Sequence, residues 1–224
     1  APETVNHETN YQMIYHDYGG LGSCSKYLRQ ERPKRRRRQA SLSKRGRIPN
    51  RVGIEHRPQI ADLKVEVGHW ESDTMIGGHH AGVLVTYVDK ASKFLVASLA
   101  KNKTEKAINT VTIEEFSHLL SSHQKTLTFD NGKEFSGHEE LAQNLGVSCY
   151  FANPYHSWER GLNEHTNGML RQFFPKGTNF KILSPDAVKK AVDLLNDRPR
   201  KSLDYRTPSE VFYSQGSETV AFQT

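Results

Sequence analysis

The order of strand and helix patterns after Pro58 constrains the fold of this chain most strongly. Three successive stretches have the alternation and the β-branched and aromatic composition of strands, and glycines bracket the first turn between them. These stretches are Trp70–Ile76, Val83–Asp89 and Lys93–Leu99. Consecutive strands joined by short turns form an antiparallel meander, so we expect these three to lie side by side.

Beyond this meander, helix and strand patterns alternate along the chain. The predicted segments are a helix capped by Thr104, a strand at Thr126–Phe129, a helix at His138–Leu145, a strand at Ser148–Phe151, a helix from about Trp158 and a helix from Ser184 to Leu195. Together with the meander, this order predicts an α/β fold with a mixed five-stranded sheet flanked by helices.

The positive charge of the chain is concentrated in one segment. The whole chain has a net charge of +6, but Lys26 to Arg57 holds thirteen Lys or Arg residues against Glu31 and Glu55, which gives +11. Mutual repulsion predicts an extended basic arm whose natural partner is a nucleic-acid backbone. A solvated linker, or a contact with acidic protein or anionic lipid, is the alternative. The residues expected to bind DNA are Arg35, Arg36, Arg37, Arg38, Lys44, Arg45 and Arg47.

The N-terminal residues predict one short helix. Asn6 can cap a helix from about His7 to Tyr15, and Gly19-Gly20 can end the unit. A single helix cannot bury a core, so we interpret it as the remnant of a helix-turn-helix whose earlier helices are missing; a stray terminal helix fits the pattern equally well. The expected domains are residues 1–25 as this remnant, 26–60 as a basic DNA-binding linker and 61–224 as the α/β core domain.

Secretion and membrane insertion have no support in the sequence. No apolar run approaches the ~20 residues that a membrane-spanning helix requires. The first residues lack the basic start and apolar stretch of a signal peptide. Cys24 and Cys149 form no CxxC pair, so neither a disulfide framework nor a four-cysteine zinc site is predicted. We expect a bacterial cytoplasmic protein, associated with the nucleoid and without a membrane partner.

Two aspartates are candidates for a functional role. A purely structural role is costly for the first, whereas the second also suits a simple turn. Asp73 falls inside the first strand pattern, where Asp is disfavoured and where burial without a partner is expensive. Asp130 follows an apolar strand in Asp130-Asn131-Gly132, a sequence that also suits a simple turn. Carboxylates at the ends of neighbouring strands would converge at one edge of a sheet, where ligand sites commonly lie.

A third acid is predicted on the helix that begins near Trp158. At 100° per residue, one stripe of this helix should face the core. It consists of Trp158, Leu162, His165 and Met169. Glu164, Asn167 and Arg171 form a second stripe, and Asn167 and Arg171 suit phosphate or base contacts. Glu159 is the alternative acid, since it lies about 140° from Glu164 around the helix and only one of the two can point at a shared site.

These motifs resemble the catalytic core of retroviral-type integrases and bacterial DDE transposases. They are Trp70-x-x-Asp73, Asp130-Asn131-Gly132-x-x-Phe135 and Gly161-Leu162-Asn163-Glu164-x-x-Asn167, with thirty-three residues between Asp130 and Glu164. Longer stretches are similar to transposases of the insertion-sequence-thirty type over nearly the whole chain. These are Gly46–Arg51, Val67–Glu71, Trp158–Gly161, Arg171–Gly177 and Asn196–Arg200.

The resemblance implies an RNase H-like fold in which Asp73, Asp130 and Glu164 are catalytic and bind two divalent metal ions. Gathered carboxylates repel one another unless cations bind, and hard oxygen ligands select Mg²⁺ or Mn²⁺. Two such ions can activate a water or a 3′-hydroxyl and stabilise the leaving oxygen of a phosphodiester.

The expected function is cleavage and strand transfer of an insertion sequence. The expected partner is double-stranded DNA, both the element ends and the target, bound by a homo-oligomer. A metal-dependent nuclease of the same fold, which cuts without joining, is one alternative. A DNA-binding protein without turnover is the other.

Overall fold

The computed structural model describes residues 6–28, 48–153, 156 and 161–217. The chain divides into two units, residues 1–44 and 45–224. The predicted arm residues Arg35, Arg36, Arg37, Arg38, Lys44, Arg45 and Arg47 lie outside the described residues.

The first unit contains the predicted N-terminal helix. Helix α1 spans His7–Tyr15, and the side chain of its N-cap Asn6 accepts a hydrogen bond of 3.1 Å from the backbone N–H of Glu8. Turns of 3-10 helix follow at Tyr18–Tyr27, where Gly19 and Gly20 have φ angles of +65° and +79°. The predicted helix from His7 to Tyr15 is confirmed, but Gly19 and Gly20 do not end the unit, because they lie within these 3-10 turns, where glycine tolerates the left-handed backbone without steric cost. A helix-turn-helix stays a prediction.

The second unit is built on a five-stranded mixed sheet. Its strands are β1 (His69–Ile76), β2 (Val83–Asp89), β3 (Leu95–Ala100), β4 (Thr126–Phe129) and β5 (Ser148–Phe151). The order across the sheet is β3-β2-β1-β4-β5. Strands β1 to β3 are antiparallel neighbours, whereas β4 is parallel to β1 and β5 to β4. The predicted meander and mixed sheet are therefore confirmed.

Six helices accompany the sheet among the described residues. They are α2 (Ile60–Leu63), α3 (Glu105–Ser117), α4 (His138–Leu145), α5 (Gly161–Leu170), α6 (Pro185–Asn196) and α7 (Pro208–Ser217). Helices α2 and α7 were not predicted. Among the residues that the structure describes, no helix is long and apolar enough to cross a membrane.

One face of the sheet packs against α3, α4 and α7. Trp70 is fully buried at its centre, with its ring centroid 5.2 Å from that of Phe116 in α3 and 5.6 Å from that of Phe212 in α7. The indole N–H of Trp70 donates a 2.8 Å hydrogen bond to the carbonyl of His123. A buried Trp needs such an acceptor, and truncation of an aromatic side chain this deep in a core typically costs about 3–5 kcal/mol.

The opposite face carries a second apolar cluster beneath α5 and α6. Met75 and Leu84 pack there with Met169 and Leu170 of α5 and Val188 of α6. Successive side chains of a strand point to opposite faces, so residues 71, 73 and 75 of β1 all lie on this side. Asp73 is therefore on the face that α5 covers.

The residues that precede the core run along the edge of the sheet. Gly53 forms a parallel bridge with Phe151, and the Phe151 N–H donates a 2.9 Å hydrogen bond to the carbonyl of Val52. Arg51 donates to the carbonyl of Ala152 at 3.2 Å, directly after β5. The described end of the predicted 26–60 linker thus packs on the edge of the five-stranded sheet, and the domain boundaries predicted from sequence stay predictions.

Candidate active site

The register of two parallel strands brings Asp73 level with Asp130. His69 pairs with Thr126 and Glu71 with Thr128, and the same register continued by two positions aligns Asp73 with Asp130. Neighbouring strands lie about 4.8 Å apart, and aligned residues of parallel strands point to the same face. The fold therefore directs both sequence-predicted carboxylates to the face that α5 covers, on neighbouring segments of the sheet.

The turn after β4 fixes the direction of the Asp130 side chain. Its Oδ1 accepts a 2.8 Å hydrogen bond from the backbone N–H of Gly132. The next side chain, Asn131, donates from Nδ2 to the carbonyl of Ala152 at 2.7 Å. This is the turn chemistry that the sequence predicted, and here it also positions the carboxylate at the end of the strand.

Helix α5 is tied to β1 by two hydrogen bonds. The backbone N–H of Asn163 donates to Oε2 of Glu71 at 3.2 Å, and Asn167 donates from Nδ2 to Oδ2 of Asp73 at 3.0 Å. The helix therefore runs in the same direction as the strand. Glu164 follows Asn163 directly, is exposed, and lies one turn before Asn167 on the same side of the helix. Glu164 is therefore next to Asn167, the residue that donates a hydrogen bond to Asp73, on the surface of α5.

The buried side of α5 differs from the prediction. The buried residues are Asn163, Thr166, Met169 and Leu170. His165 is exposed, so its predicted place in the core stripe was wrong. The bonds of Asn163 and Asn167 to β1 rotate polar side chains toward the sheet, which apolar periodicity cannot show. Trp158 and the alternative acid Glu159 lie outside the described residues.

The two other predicted helix residues make contacts within the fold. Asn167 accepts a 3.0 Å hydrogen bond at Oδ1 from the Thr86 hydroxyl while its Nδ2 bonds to Asp73. Arg171 donates to the carbonyls of Phe174 at 3.3 Å and Ile76 at 3.5 Å, and burial lowers the pKa of its guanidinium. A DNA contact by either residue stays a prediction.

The carboxylates suit hard divalent cations by their donor chemistry. Oxygen ligands alone, held on neighbouring strands, favour Mg²⁺ or Mn²⁺ over softer metals. Within the described ranges, no three His, Cys, Asp or Glu side chains lie close enough together to hold one ion. Asp73, Asp130 and Glu164 all lie within these ranges, so the structure does not gather the three sequence-predicted carboxylates into one metal-ready cluster.

Comparison with known proteins agrees with this geometry. Residues 66–157, which include Asp73 and Asp130, match the integrase core domain family. This part of the chain thus resembles an integrase core domain. Its fold is similar to the crystal structure of the catalytic core domain of BIV integrase, with a TM-score of 0.51 and 19% sequence identity over 67% of this chain and 96% of that one. The RNase H-like fold predicted from sequence is therefore confirmed.

Relatives of this chain include insertion-sequence transposases. The chain is 42% identical over 209 residues to the transposase for insertion sequence element IS4351 of Bacteroides fragilis, covering 93% of this chain. It is 34% identical over 177 residues to transposase InsI for insertion sequence element IS30A of Escherichia coli, covering 78% of this chain. The chain spans 64% and 46% of the lengths of these two relatives. The resemblance to insertion-sequence transposases is confirmed.

A group of three buried charges and one exposed charge was missed by the sequence analysis. We call Arg57, Asp62, Glu71 and Lys90 the ionic layer. Lys90 Nζ lies 3.0 Å from Asp62 and 3.9 Å from Glu71, and Arg57 bonds to Asp62 as well. Burial acts to raise the pKa of Asp62, but the bonds and charges of Lys90 and Arg57 hold it below its ordinary value. Glu71 lies two residues before Asp73, so strand alternation alone could have placed it on the catalytic face.

A cavity of about 530 Å³ opens beside Asp130. Its lining residues are Lys103, Thr104, Glu105, Asp130, Gly132, Lys133, Glu134 and Ser136. Glu134 is buried, forms an ion pair of 2.8 Å with Lys103 and accepts a 3.1 Å hydrogen bond from the hydroxyl of Thr74. The second unit thus has open, polar space directly next to one of its two aligned aspartates.

Proposed function

We propose that this chain contains the catalytic part of an insertion-sequence transposase, which cleaves DNA at the element ends and joins the released 3′-hydroxyl to target DNA. The observation that carries the proposal is the hydrogen bond from Asn167 of α5 to Asp73, on the face of β1 whose parallel pairing with β4 leads toward Asp130. The integrase core match and the transposase relatives support it.

Asp73, Asp130 and Glu164 would hold two Mg²⁺ or Mn²⁺ ions. When bound, such ions activate the attacking oxygen and stabilise the leaving oxygen at the scissile phosphate. Asn167 orients the Asp73 carboxylate, and the Gly132 N–H orients that of Asp130. The reaction needs no covalent intermediate on the protein, so positioning the phosphate and the attacking hydroxyl is the main task of the side chains.

The DNA would be bound mainly by electrostatic attraction between its phosphates and basic side chains of the chain. The arm from Lys26 to Arg57 carries a net charge of +11 and supplies sequence-independent affinity for the phosphate backbone. Asn167 and Arg171 would contact the strand that leads to the site. Two DNA ends and a target must be brought together for transposition, so a homo-oligomer on double-stranded DNA is the expected active form.

A strand-transfer assay tests the proposal. Labelled duplexes that carry the element ends are incubated with a target plasmid, with and without Mg²⁺. We expect both nicked ends and joined products with Mg²⁺, neither without it, and neither from Asp73→Asn. Asp204→Asn, an exposed acid at the turn before α7, is the matched control and should retain both. Nicking without joining favours the nuclease alternative, and neither product favours a DNA-binding protein without turnover.

A further inference from the structure

The ionic layer contains or contacts residues that precede each of the three carboxylates of the proposed site. Glu71 stands two residues before Asp73 on the same face of β1. Arg57 donates a 2.9 Å hydrogen bond to the hydroxyl of Thr128, which stands two residues before Asp130 on β4. The other end of the layer reaches α5, because Glu71 accepts the N–H of Asn163, the residue before Glu164.

Glu71 is an expensive residue at this position. Its side chain is 4% exposed and that of Lys90 is 3% exposed, so both charges have lost their hydration. A buried ion pair often stabilises a fold no better than apolar residues of similar volume, because desolvation offsets the attraction. A contribution to stability therefore does not explain a glutamate at position 71. Its contacts indicate a different role.

The two carboxylate oxygens of Glu71 face different partners. Oε1 lies 3.9 Å from Nζ of Lys90, and Oε2 accepts the N–H of Asn163 at 3.2 Å. The N–H groups of a first helical turn have no acceptor within the helix, and a negative charge there is favourable. The side-chain amide of Asn163 is buried and has no hydrogen-bond partner among the described residues. Glu71 is thus the polar contact that ties this residue to the sheet.

We propose that Glu71 is a positioning residue, which holds the first turn of α5 so that the Glu164 carboxylate can join Asp73 and Asp130 when metal binds. Lys90 pairs with Glu71, Asp62 pairs with Lys90, and Arg57 pairs with Asp62. This proposal rests on the proposed function, since it takes Glu164 as the third metal ligand. Glu71 acts through Glu164 and touches neither metal nor DNA.

The test is a double-mutant cycle read by metal binding. The unfolding temperature is measured against Mn²⁺ concentration, and the half-saturating concentration is taken from the shift, because a ligand of the native state raises that temperature. We expect Glu71→Ala to raise the half-saturating concentration about tenfold, as loss of a group that orients a metal ligand commonly does. Glu71→Gln should restore most of the affinity, since its amide oxygen can still accept the Asn163 N–H.

The cycle separates positioning from general stability. In a Glu164→Gln background, Glu71→Ala should change the half-saturating concentration less than about twofold, because coupled residues are non-additive. An equal tenfold effect in both backgrounds overturns the proposal. The control is Asn196→Ala, which removes two buried hydrogen bonds of 2.8 Å to Leu95 and should lower the unfolding temperature without changing the half-saturating concentration.

A second variant tests the proposal if Glu71→Ala does not fold. Glu71→Met with Lys90→Met replaces the buried pair by apolar residues of similar size, which proteins often tolerate. This double variant lacks the acceptor for Asn163, so it should also need about tenfold more Mn²⁺. A wild-type Mn²⁺ response overturns the proposal. If Glu164→Gln alone leaves the response unchanged, the assignment of Glu164 in the proposed function fails together with it.

Discussion

Asn167 donates a hydrogen bond of 3.0 Å from Nδ2 to Oδ2 of Asp73, across 94 residues of sequence. The other end of the same amide accepts the Thr86 hydroxyl, also at 3.0 Å. One side chain of α5 thereby bonds to both β1 and β2 on the face of the proposed site. The placement of Glu164, one turn earlier on the helix, follows from this bond and from that of Asn163 to Glu71.

Replacing Asn167 by Ala should impair activity and stability together. The buried Thr86 hydroxyl would lose its 3.0 Å bond to Asn167 and keep only its 3.4 Å bond to the carbonyl of Asp73, and a lost hydrogen bond typically costs about 0.5–1.5 kcal/mol. Strand transfer should fall at least about tenfold, because the group that orients Asp73 is gone. Thermal unfolding and the strand-transfer rate measure the two effects. Wild-type transfer by Asn167→Ala would show that this bond does not orient the carboxylate.

The basic arm should make DNA binding strongly dependent on salt. Each neutralised phosphate contributes roughly −0.9 to the slope of log K against log [salt]. Replacing Arg35 to Arg38 by Ala should flatten that slope and weaken binding to all duplexes alike, without a change of sequence preference. Fluorescence anisotropy over a salt series measures it. An unchanged slope would mean that the arm contacts something other than DNA.

Arg171 should contribute to both DNA binding and the fold. Its guanidinium donates to backbone carbonyls and lies 5.9 Å from the centre of the Phe180 ring, so Arg171→Ala should lower the unfolding temperature. Below that temperature, Arg171→Ala should bind DNA ends weakly and transfer strands poorly. Arg171→Lys should recover only part of the DNA binding and strand transfer, because a lysine cannot form the bidentate contact with a phosphate. A wild-type transfer rate in Arg171→Ala would remove this residue from the DNA path.

The thiol of Cys149 should resist modification in the folded protein. Burial raises its pKa to about 12, so almost none of it is the reactive thiolate at pH 8. Cys24 is half-buried and lies in the first unit. Labelling with a thiol reagent at pH 8 should modify Cys24 quickly and Cys149 only after denaturant is added. Rapid labelling of both would show that β5 opens easily in the native state.

Local patterns were sufficient to predict most elements of the fold. Strand-forming composition and glycine punctuation predicted β1 and β2 closely, because β2 is rich in β-branched and aromatic residues on both of its buried faces and glycines mark the turn that joins the two strands. Strand β3 begins at Leu95 rather than Lys93, since Lys93 has a φ of +64° in the turn. Helix α7 was missed although Thr207 and Glu210 form a reciprocal capping box, a signal that the sequence carries.

The site could be predicted only in part. Motif spacing indicated Asp73, Asp130 and Glu164, and the strand register accounts for the first two. The exposed His165 and the buried Asn163 depend on bonds between α5 and β1, which join residues about ninety positions apart. The ionic layer likewise joins residues from distant segments, such as Arg57 and Thr128. No local pattern contains such pairings.

The central claim is that Asp73, Asp130 and Glu164 work as one metal-dependent unit. The most direct measurement is the rate of Mg²⁺-dependent strand transfer for Asp73→Asn, Asp130→Asn, Glu164→Gln and the double variant of Asp73→Asn with Glu164→Gln. We predict that each single variant loses transfer while remaining folded, and that the double variant is little worse than either, because removing members of one unit is not additive. Full Mg²⁺-dependent transfer by Glu164→Gln would contradict the claim.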